Sequence, residues 1–354
     1  MSKKTNKRSI KYYRIGLFGF TYNHEIIAKS FPNIQIDFFS DLNSLLQNQS
    51  NLLSQYDYLV LRLSGENPKN IMSKLRSSIN ERITCKIVLW TQDNHHQVIT
   101  PEVYNYFFKI YAAHSEFYDS ELFPNISHLP CCFNGADINR VYLFNNLNFQ
   151  NRFDISSSFM LYQGYDRNRD FYRIAKILKK NKRNYAFGRT SNMNGQISNY
   201  LQLMFQSKVI LNLTLKSELN MRFFESQVSN RTVLMDEVRG IQSLNLDLRN
   251  TFLFKRDLSN FEEQFERAIN HKPVSVYENY LLNHTSISRI RKILEDLTGL
   301  TSDNFNVTSI RDEQINVCPL KIRKYSNTIL YLSSLPIKNR YIKSVISFIV
   351  KFFS

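Results

Sequence analysis

The sequence predicts two doubly wound α/β domains, and three observations carry that prediction. Short apolar, β-branched runs alternate with helix-spaced stretches along most of the chain, the pattern of parallel sheets covered on both faces. The alternation breaks once, at the polar, Asn-rich stretch Asn139–Asp154, and then resumes. At 354 residues, 43% of them hydrophobic, the chain is long enough to bury a sizeable core in each of two ordinary domains.

In the first half the runs Arg14–Phe20, Ile34–Phe39, Tyr58–Leu63, Lys86–Trp90, Lys109–Ala112 and Ile126–Leu129 read as buried strands. His24–Ser30, Leu42–Leu53, Lys69–Ile79 and Ser115–Phe123 between them read as helices. Gly16 and Gly19 punctuate the end of the first strand, where a backbone can approach a ligand closely, though without the dinucleotide-binding spacing. The fourth strand runs out into Trp90-Thr91-Gln92-Asp93-Asn94-His95-His96. An acid and two histidines then stand at the carboxyl end of a parallel strand, the edge where open α/β sheets bind ligands. Asp93 would serve equally as the cap of the next helix. Pro130 and Gly135 in Leu129–Asp137 punctuate a turn that closes this half at a hinge.

The second half reads as strand Phe159–Tyr162, helix Arg167–Lys180, strand Asn184–Phe187 and helix Ile197–Gln206. A central βαβ unit follows, then strand Phe252–Phe254, helix Leu258–Asn270 and a last helix over His284–Leu297 with Gly299 as its stop signal. The central unit is Val209–Asp236, VILNLTLKSELNMRFFESQVSNRTVLMD. Its two apolar runs, Val209–Leu215 and Thr232–Met235, bracket Met221, Phe224 and Val228 at helical spacing. Arg222 and Glu225, three residues apart, share one face of that helix's first turns. The plain reading of the two is a surface ion pair contributing about 0.2–0.5 kcal/mol. Gly164 follows the first strand of this half and Gly188-Arg189 the second, positions where backbone and guanidinium can meet a pyrophosphate. A solvated loop arginine is the plain reading of Arg189.

This central unit resembles the sugar-donor half of GT-B glycosyltransferases, and among them the CgeB-like, or glycosyltransferase group 1, branch. The resemblance rests on Asn212-Leu213, Leu219-Asn220, Arg222-Phe223-Phe224-Glu225 and Leu234-Met235-Asp236, and on Leu129–Asp137, which is similar to the family's Leu-Pro-x-x-x-(Gly/Ala)-x-Asp segment. It implies two Rossmann-like doubly wound domains facing across a cleft. A basic arm at 1–10 would precede an acceptor-side domain and linker at 11–150, a donor domain at 151–300 and an extension at 301–354. It further implies a metal-independent hexosyltransferase that uses a nucleotide sugar as co-substrate and needs no cofactor. Arg222, Glu225, Asn212, Asn220, Arg189 and Gly164 would bind the donor, while Asp93, His95 and His96 would serve catalysis on the acceptor side. The acceptor class would be a glycan or a lipid-linked glycan in bacterial surface polysaccharide or glycolipid synthesis. Val228-Ser229-Asn230 stand where the family has Ala-x-Gly, which leaves a catalytically degenerate binding scaffold as one alternative.

The formal charge of +16 is concentrated at the two ends. Lys3, Lys4, Lys7, Arg8, Lys11 and Arg14 occupy the N-terminal arm without an acid. Lys321, Arg323, Lys324, Lys338, Arg340, Lys343 and Lys351 do the same beyond Glu313. On a helix over Ile337–Ser354 the basic residues Arg340, Lys343 and Lys351 gather on one face, while Tyr341, Ile342, Val345, Ile346, Ile349 and Phe353 cover the other. Such a basic amphipathic helix either packs on the body or lies on an anionic inner-leaflet surface, where each well-placed cation contributes about 1 kcal/mol. The charge, with 20 Tyr and 27 Phe, raises nucleic-acid binding as a second alternative, but no binding module interleaves those aromatics with the cations, so nucleic acid is not an expected partner. Ile15–Phe20 is too short for a secretory core, and no apolar run reaches membrane-spanning length. Cys85, Cys131, Cys132 and Cys318 lack metal spacing, and neighbours such as Cys131 and Cys132 seldom pair. The expectation is a cytoplasmic protein, peripheral on the inner membrane.

Overall fold

The computed structural model describes residues 12–19, 24–40, 53–63, 67–78, 86–91, 98–113, 121–133, 141, 144–147, 149–159, 166–190, 198–214, 219–238, 241–302, 322–335, 344–345 and 348. The chain divides into two compact units, Met1–Cys131 with Ser286–Val307, and Cys132–Thr285 with Thr308–Ser354.

The first unit holds a six-stranded parallel sheet in the order β2-β1-β3-β4-β5-β6. Its strands are β1 (Tyr13–Phe18), β2 (Ile34–Phe39), β3 (Tyr58–Arg62), β4 (Lys86–Thr91), β5 (Lys109–Ala112) and β6 (Ile126–His128). Helices α1 (His24–Ser30), α2 (Pro68–Ser78) and α3 (Pro101–Tyr106) connect them. Every strand expected from the apolar runs forms, because strands buried on both faces have little room for polar residues. Leu59, Leu61, Leu75, Leu89, Val103 and Ile110 are fully buried together between sheet and helices. Gly19, just past β1, has φ +78°, and a Cβ there would lie 2.7 Å from the carbonyl oxygen of Arg62, so no other residue fits without moving backbone.

The second unit holds another six-stranded sheet, in the order β11-β10-β9-β7-β8-β12. Its strands are β7 (Phe153–Ser158), β8 (Tyr185–Thr190), β9 (Ser207–Asn212), β10 (Thr232–Asp236), β11 (Thr251–Phe254) and β12 (Ile322–Lys324). All pairs are parallel except β12 on β8. The helices of this unit are α4 (Asp166–Lys180), α5 (Ser198–Phe205), α6 (Met221–Val228), α7 (Phe261–Ile269) and α8 (Tyr277–Asn283). On one face of the sheet Ile155, Phe187, Val209, Leu211, Leu234 and Phe254 pack with Phe171 of α4 and Phe261 and Phe265 of α7. Helices α5 and α6 pack against β7, β9 and β10. Buried Phe223 and Phe224 of α6 meet Tyr280 of α8 edge-on at 6.1 and 6.3 Å.

Three parts of the second half depart from the sequence reading. The strand expected at Phe159–Tyr162 lies earlier, at Phe153–Ser158, and its first two residues fall within the stretch read as the crossing between domains. Its polar Phe-Asp-Ile-Ser-Ser-Ser hides it, because the serines are buried by bonding rather than by hydrophobicity: Ser207 Oγ donates to Ser156 Oγ at 2.7 Å. Helix α9 (Ser286–Thr298), read as the close of the second domain, groups with the first unit. Its Asp296 accepts from the Tyr111 hydroxyl at 3.5 Å, its Thr298 carbonyl accepts from Tyr13 at 3.2 Å, and Arg289 Nε donates to the Pro130 carbonyl at 3.0 Å. Finally, β12 and helix α10 (Asn327–Ser334) were not legible as elements. Two basic residues in β12 obscure an edge strand, and α10, capped by Ser326 at 3.2 Å to the Ile329 N–H, packs on α4. The segment that would carry the amphipathic C-terminal helix lies almost wholly outside the described residues; of it, Val345 and Phe348 are exposed.

Candidate functional site

The sheet of the second unit reverses its winding between β7 and β9: β8 lies to one side of β7, and the chain then crosses back to place β9 on the other. The carboxyl ends of two such strands splay apart and leave a crevice, the usual ligand position in this kind of sheet. Here the crevice is lined by Ser156, Ser157 and Ser158 of β7, Tyr200, Leu203 and Met204 of α5, Ile210, Leu211 and Asn212 of β9, and Arg222 and Ser226 of α6.

Asn212 and Asn220 are locked together at its floor. Asn220 caps α6, its Oδ1 accepting from the Phe223 N–H at 3.2 Å, which leaves its amide nitrogen to donate to Asn212 Oδ1 at 3.1 Å. That chain of donors fixes the Asn212 amide as well: its oxygen faces Asn220 and its nitrogen faces the other way. Asn212 is 2% exposed, and its Nδ2 is a buried donor without an acceptor. Leaving such a donor unmet costs about 1–3 kcal/mol.

Met221, Arg222 and Glu225 are the half-buried positions of a helix whose Phe223, Phe224, Ser226, Gln227 and Val228 are buried, so Arg222 and Glu225 stand on the side away from the core. Glu225 hydrogen-bonds to Tyr200 of α5, and Arg222 acts on the same pair as a nearby positive charge. Burial and the Glu225 carboxylate push the Tyr200 hydroxyl well above its ordinary range, so it stays a proton donor. Sequence reasoning missed Tyr200, as it missed the serines of β7. A tyrosine on an amphipathic helix carries no local mark, and a Ser-Ser-Ser run reads as loop.

A second polar cluster lies where the chain leaves β9 at Thr214. Asp236, 1% exposed at the end of β10, accepts from the Thr214 N–H at 2.8 Å and from its hydroxyl at 2.6 Å. Arg256 reaches Asp236 at 3.9 Å, Asp170 of α4 at 3.3 Å and the Thr214 carbonyl at 3.4 Å. Burial holds both carboxyls above their ordinary range, against the pull of Thr214 on Asp236 and of Arg256 on both.

Of the residues singled out in the sequence, Arg222 and Asn212 line the crevice and Asn220 bonds to Asn212, while Glu225 interacts with Tyr200, which lines it too. Arg189 lies within β8 rather than in a loop beyond it, its backbone paired with Arg323 of β12. Asp93, His95, His96 and Gly164 lie outside the described residues. Cys131 and Cys132 are buried and form no disulfide. Among the described residues no three of His, Cys, Asp and Glu are grouped as they would be around a metal ion, and no helix is long and apolar enough to cross a membrane.

No protein-family model matches the chain, and no curated protein matches it. Solved structures do. The apo form of the lipopolysaccharide outer core galactosyltransferase WaaB is similar over 81% of this chain and 99% of its own, at 11% identity and a TM-score of 0.49. Anabaena HepE in complex with UDP is similar over 81% and 100%, at 11% identity and 0.44. The UDP-GlcNAc 2-epimerase of Methanocaldococcus jannaschii is similar over 81% and 99%, at 9% identity and 0.42. At these identities and scores the likenesses assign no activity, and the two-sheet architecture stands on the strand order itself.

Proposed function

We propose that the chain is a GT-B glycosyltransferase of the CgeB-like kind, a hexosyltransferase that takes its sugar from a nucleotide-sugar donor. The observation that carries this reading is the convergence of Arg222, Asn212 and Tyr200, with which Glu225 interacts, on one crevice at the winding reversal of the second sheet. That crevice offers what a nucleotide sugar requires. The Asn212 Nδ2 and the Arg222 guanidinium are donors suited to phosphate oxygens, and the α6 N-terminus adds its positive end. The Glu225 carboxylate accepts from paired hydroxyls of the sugar or ribose. As the bond to the sugar breaks, charge collects on the departing diphosphate, and a guanidinium beside it stabilises that charge more than it stabilises the bound donor. Asp93 or His95 is the candidate base for an inverting course, with His96 beside them, and a retaining course would lean on the leaving phosphate itself. Arg189 and Gly164 remain candidate donor contacts. The reading needs no metal and no cofactor.

The acceptor we propose is a glycan or lipid-linked glycan in bacterial surface polysaccharide or glycolipid synthesis, reached from the cytoplasmic face of the inner membrane. The basic ends and the exposed Val345 and Phe348 support attachment to an anionic leaflet. The test of the donor site is a melting-temperature series with UDP-, GDP- and CMP-sugars. One class should raise the melting temperature of the wild type and leave that of Glu225→Gln unchanged, while the unliganded proteins melt alike. A Glu225→Gln protein that responds as the wild type does would remove Glu225 from the site.

A further inference from the structure

We infer that the outward face of α4, with Tyr331 of α10 at its edge, docks on an anionic lipid bilayer; this rests on the leaflet-attachment reading above and not on the donor site. The inner side of α4 is fixed, because Phe171, Ile174, Ala175 and Leu178 are buried in the core against the sheet. The outer side is left to Arg169, Arg173, Lys176 and Lys180, all exposed, whose three- and four-residue spacing makes them one row along the helix. Lys179 is exposed beside the row, and the acids of the helix are Asp166 in its first turn and the buried Asp170.

An ordinary solvated helix mixes its charges. On α7, in the same unit, the exposed Glu262, Glu263, Glu266 and Arg267 do so, with Arg267 at 4.0 Å from Glu263 and Glu266 paired with Arg183. On α4, Arg169 meets Asp166 at 3.5 Å where both are well exposed, and Arg173 donates to the backbone carbonyl of Asp257 at 2.8 Å. Among the described residues no acid pairs with Lys176, Lys179 or Lys180. The row is also bordered by aromatic surface. Half-buried Tyr172 has the Lys176 Nζ over its ring at 5.7 Å and the Tyr331 ring beside it at 5.3 Å, and Tyr331 is 46% exposed. Cationic stems lying along tyrosine rings suit the headgroup boundary, where the charges meet phosphate and the rings sit at headgroup level. Single-stranded nucleic acid would instead stack its bases on open ring faces in a groove, and here the row lies on a convex helix with Lys176 over the Tyr172 ring. The basic tail read in the sequence begins at Ile337, directly after α10, so it is tethered at the edge of this row. Two weak contacts tethered together hold a surface more firmly than either does alone.

The experiment is sedimentation of the full chain with vesicles of phosphatidylcholine, with or without phosphatidylglycerol, beside a titration with poly(U) RNA. The wild type is expected to sediment with the phosphatidylglycerol vesicles and not with phosphatidylcholine alone. Lys176→Gln combined with Lys180→Gln should weaken that partition about tenfold at an unchanged melting temperature. Lys69→Gln combined with Lys74→Gln, which removes the same charge from exposed positions of α2, should leave the partition as it was. Tyr331→Ser should weaken it as well, most visibly at high salt, where screening removes the ionic share. Equal losses in the two lysine pairs would show that net charge rather than this row sets the partition, and would overturn the inference. Full binding by the Lys176 and Lys180 variant would also overturn it, while leaving attachment through the tail in place. Poly(U) bound more tightly than the vesicles, and lost with the same pair, would assign the row to nucleic acid and overturn it too. No partition by the wild type would overturn the leaflet-attachment reading and this inference with it.

Discussion

Asn212 pairs through its oxygen with the helix cap and holds its nitrogen buried and unmet at the base of a crevice. An ordered water or a ligand relieves such a cost. Asn212→Asp should therefore weaken nucleotide-sugar binding at least tenfold, about 1.4 kcal/mol, because an acceptor and a negative charge then face the phosphate; calorimetric titration reads it, and unchanged affinity would place the phosphates elsewhere. The acids around Arg256 behave differently. Burial raises Asp170 above its ordinary value, so its contribution to stability is present in full below about pH 3.9, the unfolded value, and is lost as pH rises through the higher folded value. Relative to Asp170→Asn, the urea midpoint of the wild type should fall over that rise and then level off; a difference that grows in favour of the wild type would contradict the assignment. Arg222, Glu225, Asn212 and Asn220 could be singled out together in the sequence because they fall within one local unit. Tyr200 and the serines of β7 act through space, and nothing in their own neighbourhoods marks them.

At the scale of elements, α6 is set by its cap and by its aromatic underside. Removing the cap with Asn220→Ala should cost about 1 kcal/mol of stability and also release Asn212, so thermal unfolding and donor affinity should both shift. A loss in one without the other would separate the cap from the site. Parallel strands buried on both faces announce themselves as apolar runs, which is why the inner strands β1, β3, β4 and β5 of the first sheet could be read directly; the edge strands β2 and β6 are only partly buried and show shorter apolar signals. Strand β7 could not, since Ser156 and Ser207 satisfy one another inside the sheet and leave no apolar signal. Strand β12 could not either, being an antiparallel edge of Ile-Arg-Lys that reads as part of a basic tail. Periodicity predicted helix α9 correctly as a helix, but it does not reveal which body a helix packs on.

At the scale of the molecule, the described chain is built on two six-stranded sheets, parallel throughout but for β12, and each presents the carboxyl edge at which such sheets bind ligands. The charge is distributed independently of both, in the two ends. Deleting residues 338–354 should release the protein from vesicles containing anionic lipid while its melting temperature holds, with binding to those vesicles also falling as salt rises. Unfolding on deletion would instead make the segment part of the core. The central claim concerns the crevice between β7 and β9, and a crystal soaked with the nucleotide sugar that raises the melting temperature tests it most directly. The account predicts phosphate density against Arg222 and the Asn212 amide nitrogen, with ligand hydroxyls on Glu225; density bound away from all three residues would contradict it.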